Sequence, residues 1–248
     1  MDYPMPRYPR VEDDDFDWMP YISVEERRDK AAREAARLGK GSPVVVKGNR
    51  IANSFWGKSW CENLERYSDY ANRLPRGRTY VRSGCVVDLK IKTGEVGALV
   101  SGSRLYETQV RIEPIPKARW KTICEDVAGQ IDSLVELLEG RFSKSAMERL
   151  CRQSTGLFPS PHEIRFTCSC PDSARMCKHV AAVLYGVGAR LDETPELLFT
   201  LRRVNQQDLI SHGSAGLTKP KSARILESRN LSELFDLDIV EPKPKRRR

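Results

Sequence analysis

The feature that most constrains this chain is a group of four metal-ligand side chains within twelve residues. Residues 168–179 read CSCPDSARMCKH, which is a Cys-x-Cys pair, a gap of six residues and a Cys-x-His pair. Three thiolates and one imidazole form a closed tetrahedral ligand set for zinc. The pattern therefore predicts one structural Zn²⁺ ion held by Cys168, Cys170, Cys177 and His179. A redox pair or an iron site is the remaining alternative.

The residues around these ligands predict how they converge. Period-two alternation from residue 164 predicts an extended segment that presents the Cys168 and Cys170 sulfurs on one face. Two positions on a helix that are two residues apart point about 200° away from each other. Cys177 is therefore expected at the junction of loop and helix, with His179 in the first turn. The helix itself is predicted from the apolar stripe Val180, Val183, Leu184 and Val187.

The other cysteines and the length of the apolar runs indicate in which compartment of the cell the protein resides. Cys61, Cys85, Cys124 and Cys151 each fall on an apolar stripe and are predicted to be packing residues. The N-terminus carries no signal-peptide pattern. The longest uninterrupted apolar run, residues 180–185, is far shorter than the roughly 20 residues that span a bilayer. We expect a cytoplasmic protein without membrane contact, associated with the nucleoid if it binds DNA and nuclear in a eukaryote.

Hydrophobic periodicity predicts an α+β fold. Residues 85–92, 96–100 and 106–112 alternate apolar and polar side chains, which predicts an antiparallel β-meander with one buried face. Packed helices are predicted around it, because apolar residues recur every three to four positions. Their expected ranges are 24–39 after a capping box at Ser23, 54–74 with an aromatic stripe, 120–139, and 143–151.

Composition along the chain predicts five units. They are an acidic disordered arm at 1–20, an α+β body with a basic meander at 21–155, a zinc finger at 156–192, a C-terminal helical segment at 193–240 and a basic tail at 241–248.

Charge distribution points to a polyanionic partner. The net charge is +8, but residues 40–122 alone carry +9. A basic surface with an aromatic side chain suits phosphate contacts and base stacking. The alternative is a solvated surface whose arginines pair with Glu62, Glu65 or Asp69. The predicted nucleic-acid contacts are Arg73, Arg76, Arg78, Tyr80 and Arg82 around a Pro-Arg-Gly turn, and Lys90, Lys92 and Arg111 on the outward face of the meander.

The sequence also resembles a known family. FTCSCPD followed by CKHVAAVLYG resembles the SWIM zinc finger. FWGKSWCENLERYSDYANRLPRGRTYVRSG and GALVSGSRLY are similar to segments of bacterial stand-alone SWIM proteins, so that the resemblance spans residues 21–239. It implies a small ββα finger of SWIM type after the meander, followed by C-terminal helices, with the four ligands above. Members of the family are associated with DNA transactions or protein partners, often beside a Swi/Snf-type ATPase.

These observations predict a non-enzymatic zinc protein that binds nucleic acid, DNA rather than RNA, as an accessory to a larger machine. The alternative is an adaptor that docks a protein partner, such as a Swi/Snf-type ATPase, through the finger and residues 231–239. Residues 57–59 read GKS, but a phosphate-binding loop needs glycine where Ala52 stands. No set of acid, base and nucleophile is visible in the sequence.

Overall fold

The computed structural model describes residues 23–39, 41–67, 72–172, 174 and 176–210. Within them, strands and helices form a mixed fold around a four-stranded antiparallel sheet in the order β1-β2-β3-β4. Its strands are β1 Val86–Lys92, β2 Glu95–Ser101, β3 Leu105–Ile112 and β4 Ile164–Cys168. The first three are the predicted meander. The predicted arm at 1–20, the segment from 211 to 240 and the tail at 241–248 lie outside the described residues.

Helices pack around this sheet, and several begin where the sequence indicates. Ser23 closes a capping box with Glu26 at the first helix, and Ser143 caps the sixth. None of the described helices combines the length and apolar character that crossing a membrane requires. The helices are α1 Val24–Leu38, α2 Phe55–Glu65, α3 Leu74–Arg82, α4 Lys117–Asp126, α5 Leu134–Glu139, α6 Lys144–Leu150, α7 Lys178–Glu193 and α8 Leu197–Arg202, with a short 3-10 helix at Pro161–Glu163.

The predicted arginine-rich turn is wrong, because these residues form α3. Pro75 occupies the second helical position, where the missing amide has no intrahelical partner to lose. Gly77 faces α7, and a Cβ atom there would lie 2.4 Å from the Cβ of Ala181. The glycine therefore allows two helices to approach closely. The predicted helix over 54–74 correspondingly ends at Glu65.

The predicted helix over 120–139 is also wrong, since two helices with a turn between them occupy this range. The helix α4 ends at Asp126, Gly129 takes a φ of 70° in the turn that follows, and Ser133 caps the next helix. The change of direction also changes the buried face: Val135 is 61% exposed, whereas Leu137 is fully buried.

The core centres on α7, which packs against α2 and α3 on one side and the sheet on the other. Trp56 and Trp60 are fully buried in it, and their indole N–H groups donate to the carbonyl oxygens of Leu137 and Leu184 at 2.8 Å each. The strand and helix predicted for the finger, β4 and α7, thus share this sheet and core with the predicted body.

Candidate metal centre

Four ligand side chains converge where β4 ends and α7 begins. Cys168 is the last residue of β4, and Cys170 follows in the loop. Cys177 is the N-cap of α7, and His179 is in its first turn, as the sequence predicts. The four ligand atoms all lie within 4.8 Å of one another.

The spacing of these atoms fits a tetrahedral zinc ion. With Zn–S bonds of about 2.3 Å and a Zn–N bond of about 2.0 Å, the edges of a ligand tetrahedron are about 3.5 to 3.8 Å long. His179 Nδ1 lies 3.8 Å from the Cys168 sulfur and 3.9 Å from the Cys177 sulfur. Donor chemistry and geometry therefore both fit one structural Zn²⁺, with Nδ1 as the histidine ligand atom.

Aromatic rings fix the orientation of His179, whose side chain is almost fully buried. The Tyr106 ring stacks on the imidazole with centroids 4.3 Å apart, and Tyr80 meets it edge-on at 5.5 Å. Gly102 completes the enclosure, because a Cβ atom there would lie 3.2 Å from Nε2. This packing directs Nδ1 towards the sulfurs and keeps Nε2 away from water.

Hydrogen bonding within the cluster favours the thiolate form of Cys168 and the thiol form of Cys177. Pairing with the Cys177 thiol, together with donors from His179 and Thr108, lowers the pKa of Cys168 to about 3. The same pairing, together with burial, raises the pKa of Cys177, so that the Cys177 thiol keeps its proton and donates it to the Cys168 sulfur. The Val180 amide also donates to the Cys177 sulfur at 3.5 Å. Zinc binding requires thiolates and releases such protons.

The other cysteines have the opposite character. Burial, first among several causes, raises the pKa of Cys61 to about 12, that of Cys85 to about 11 and that of Cys124 to about 12. Burial also raises the pKa of Cys151. These thiols are therefore protonated at neutral pH and pack in or against the core.

The structure distributes the eight predicted nucleic-acid contacts over three places. Arg73, Arg76 and Tyr80 share the flank of α3 that faces the metal centre, at i, i+3 and i+7. Lys178 at the start of α7 and Arg27 of α1 place cationic groups over the Tyr80 ring, 5.1 Å and 5.3 Å from its centroid. We call these five residues the Tyr80 surface. Arg73 is only partly available to a further partner, because its guanidinium group lies 3.4 Å from the carboxylate of Asp172.

Arg78 and Arg82 lie on the other flank of α3, one turn apart and facing α2. Arg78 forms an ion pair with Glu65 and donates to the Tyr185 hydroxyl at 3.2 Å. The predicted pairing of an arginine with Glu65 is therefore present for Arg78.

Lys90, Lys92 and Arg111 lie on the outward face of the sheet, away from α3. Lys90 lies 2.9 Å from the carboxylate of Asp88, and Arg111 pairs in register with Glu95. The outward positions of the four described strands hold no aromatic side chain. This face is polar and mixed in charge.

Two parts of the site were missed by sequence reasoning. The alternation of the meander predicts that the Tyr106 side chain points inward. Its stacking partner, however, is His179, 73 positions away, and a local sequence pattern does not predict such a distant contact. The sequence places Lys178 beside the metal ligands, but Arg27 comes from the distant α1, and only the fold brings both residues over Tyr80.

Comparison with known proteins supports the assignment of the four ligand residues as a zinc site. Residues 167–187 match the family described as SWIM zinc finger. The Uncharacterized protein Rv2102 of Mycobacterium tuberculosis (strain ATCC 25618 / H37Rv) is 33% identical over 168 residues, which cover 66% of this chain and 60% of that protein. The chain thus spans 60% of the length of this relative. No solved structure gives a significant match.

Proposed function

We propose, from the premise that residues 167–187 form a SWIM zinc finger with one structural Zn²⁺, that this protein binds nucleic acid and has no enzymatic activity. DNA is preferred over RNA, and the protein acts in the cytoplasm as an accessory to a larger nucleic-acid-processing machine. The observation that carries the proposal is the position of the Tyr80 surface directly beside the metal centre.

The Tyr80 surface has the chemistry of a phosphate-binding face. Its cations come from α1, α3 and α7, and they surround a half-buried aromatic ring. Arg76 is exposed and, within the described residues, has no ion-pair partner. Lys and Arg contacts to phosphates supply most of the sequence-independent affinity for nucleic acid. No run of base-reading side chains extends from the described part of the finger, which favours contact with the backbone.

Zinc supports this surface by position. Lys178 lies between the zinc ligands Cys177 and His179 in sequence, and the Tyr80 ring contacts His179. Zinc binding therefore holds both Lys178 and Tyr80 in place. Four protein ligands leave no open coordination position, which supports a structural ion and a non-enzymatic role. Removal of zinc is expected to weaken nucleic-acid binding through loss of this arrangement.

Fluorescence anisotropy on the zinc-loaded full chain tests the proposal. Duplex DNA, single-stranded DNA and RNA of one sequence are titrated over a range of salt concentrations. We expect affinity to fall steeply with salt, and Arg76→Gln with Lys178→Gln to reduce the slope of log K against log salt by about two. Lys117→Gln with Lys121→Gln removes the same charge from α4 and is expected to have little effect.

Two results of these titrations would show that the protein does not bind nucleic acid through the Tyr80 surface. Absence of binding at low salt contradicts the proposal, and so does an equal loss in the two double variants. Tighter binding of RNA than of DNA contradicts the stated preference alone.

A second candidate is the adaptor, favoured by the outward face of the sheet. A groove of about 660 Å³ lies there, and its side chains include both lysines and carboxylates. Mixed, internally paired charge suits a protein surface better than a phosphate chain. Recovery of a Swi/Snf-type ATPase with the tagged chain after nuclease treatment, and its loss on Lys92→Glu, would support this role. The segment 231–239, also expected to dock a partner, lies outside the described residues.

A further inference from the structure

A cleft between α2 and α3 has the features of an anion site. We infer that this cleft, which we call the Arg82 pocket, seats one phosphate group of a bound nucleic acid; the inference rests on the proposed function and locates a contact for it. The cleft has a volume of about 370 Å³, and its charged lining residues are Arg50, Lys58, Glu62, Glu65, Arg78 and Arg82.

Four of these side chains are cationic, and they come from three segments of the chain. Arg50 precedes α2, Lys58 belongs to α2, and Arg78 and Arg82 belong to α3. Two carboxylates, Glu62 and Glu65, oppose them in the same cleft. The lining therefore has a net positive charge.

Both carboxylates are already engaged within the cleft. Glu65 forms an ion pair with Arg78 and accepts a hydrogen bond from the Tyr185 hydroxyl at 2.8 Å. Glu62 lies 3.8 Å from the Lys58 ammonium group. Across the described ranges, no carboxylate forms an ion pair with Arg50 or Arg82. In the part of the chain that the structure describes, the guanidinium groups of Arg50 and Arg82 thus face the cleft without a partner of opposite charge.

Arg78 is compensated by Glu65, whereas Arg82, one helical turn away, has no such partner among the described residues. Arg78 and Arg82 are like charges at i, i+4, a spacing at which their side chains repel each other on the helix surface. An anion between the guanidinium groups relieves that repulsion, and phosphate matches their planar forks in bidentate fashion.

The rest of the lining suits the sugar that carries a phosphate. Ile51 supplies half-buried apolar surface at this cleft, and the buried Ala52 and Tyr185 lie behind it. The neighbouring Cys61 adds no negative charge, because burial raises its pKa to about 12. The volume is at the lower end of the range for small-ligand pockets, which leaves space beyond a phosphate alone.

The pocket is also well placed relative to the Tyr80 surface. The two lie on opposite flanks of α3, and a helix with its side chains is about 10 Å wide. A strand of nucleic acid that crosses α3 therefore contacts both places.

The first test uses Arg50→Gln with Arg82→Gln in the zinc-loaded full chain. Both side chains are exposed, so the fold is expected to persist. We expect DNA affinity at low salt to fall at least fivefold, and the slope of log K against log salt to fall by about one. Lys117→Gln with Lys121→Gln is the matched control, since neither residue lines the pocket. Unchanged affinity and slope in the Arg50 and Arg82 variant would overturn the pocket and leave the proposed function standing.

The second test separates the phosphate site from nucleic-acid binding. Deoxyadenosine 5′-monophosphate and deoxyadenosine are titrated by calorimetry into the wild-type protein and the same variant. We expect only the monophosphate to bind, and only to the wild type. If DNA does not bind but the monophosphate does, the proposed function fails and the pocket remains a site for another phosphate compound. Equal binding of the monophosphate to both proteins contradicts the pocket.

Discussion

At the scale of single residues, the imidazole of His179 depends on its neighbours for its orientation. In the described residues its Nε2 atom is buried without a hydrogen-bond partner, whereas histidine ligands usually donate from the second nitrogen to a carboxylate or carbonyl. Stacking on Tyr106 therefore takes over the positioning that a hydrogen bond supplies elsewhere. The ring that stacks, and not its hydroxyl, is the part that orients the ligand.

Replacing Tyr106 tests this reasoning. Tyr106→Ala removes the stacked ring, and we expect zinc affinity to fall about 10-fold to 100-fold, as for other groups that orient ligands. Tyr106→Phe keeps the ring and loses only the hydroxyl contact with Ser103 at 2.6 Å, so affinity is expected to stay within about threefold. Competition with a chromophoric chelator measures the affinity, and Co²⁺ absorption reports whether the three-sulfur site persists. Equal affinity in the two variants would contradict the role of the ring.

At the scale of elements, the contact between α3 and α7 depends on Gly77. A methyl group there meets the backbone of Ala181 at 2.7 Å, which rotation of a side chain does not relieve. Gly77→Ala is expected to destabilise the protein by about 1 to 3 kcal/mol, because overpacking outweighs the better helix propensity of alanine. Urea unfolding measures the change. Gly97→Ala is the control, since its Cβ meets nothing within 4 Å, and equal stability of the two variants would count against close helix packing.

Local patterns predicted the elements that local interactions specify. The ligand spacing, the capping box at Ser23 and the alternation of the meander each involve a few consecutive residues, and each is confirmed. Glycine was misread at Gly77, because its role depends on α7, about 100 positions away. The register of β4 against β3 could not be predicted from local patterns either, because Thr108 pairs with Cys168, 60 positions away.

At the scale of the whole molecule, the zinc ligands are part of the central core. Cys177 and Val180 belong to the same hydrophobic cluster as Trp56 and Trp60. Zinc binding contributes on the order of 10 kcal/mol to the folding of small zinc modules. Since no separate core surrounds the centre in the described residues, we expect its loss to affect the stability of the sheet and of α7 together.

Calorimetry with and without a chelator checks this expectation. We expect one unfolding transition in both conditions, shifted to a lower temperature when zinc is removed. A separate early transition, with the main one unchanged, would show instead that the finger melts on its own.

The place of β4 at the edge of the sheet has a consequence during synthesis. The ribosome completes β3 more than fifty residues before it reaches Ile164, and until then the outer edge of β3 has unpaired backbone groups. Such an edge is a template for pairing with other chains. Zinc supply therefore bears on aggregation as well as stability, because the ion fixes the end of the strand that closes this edge.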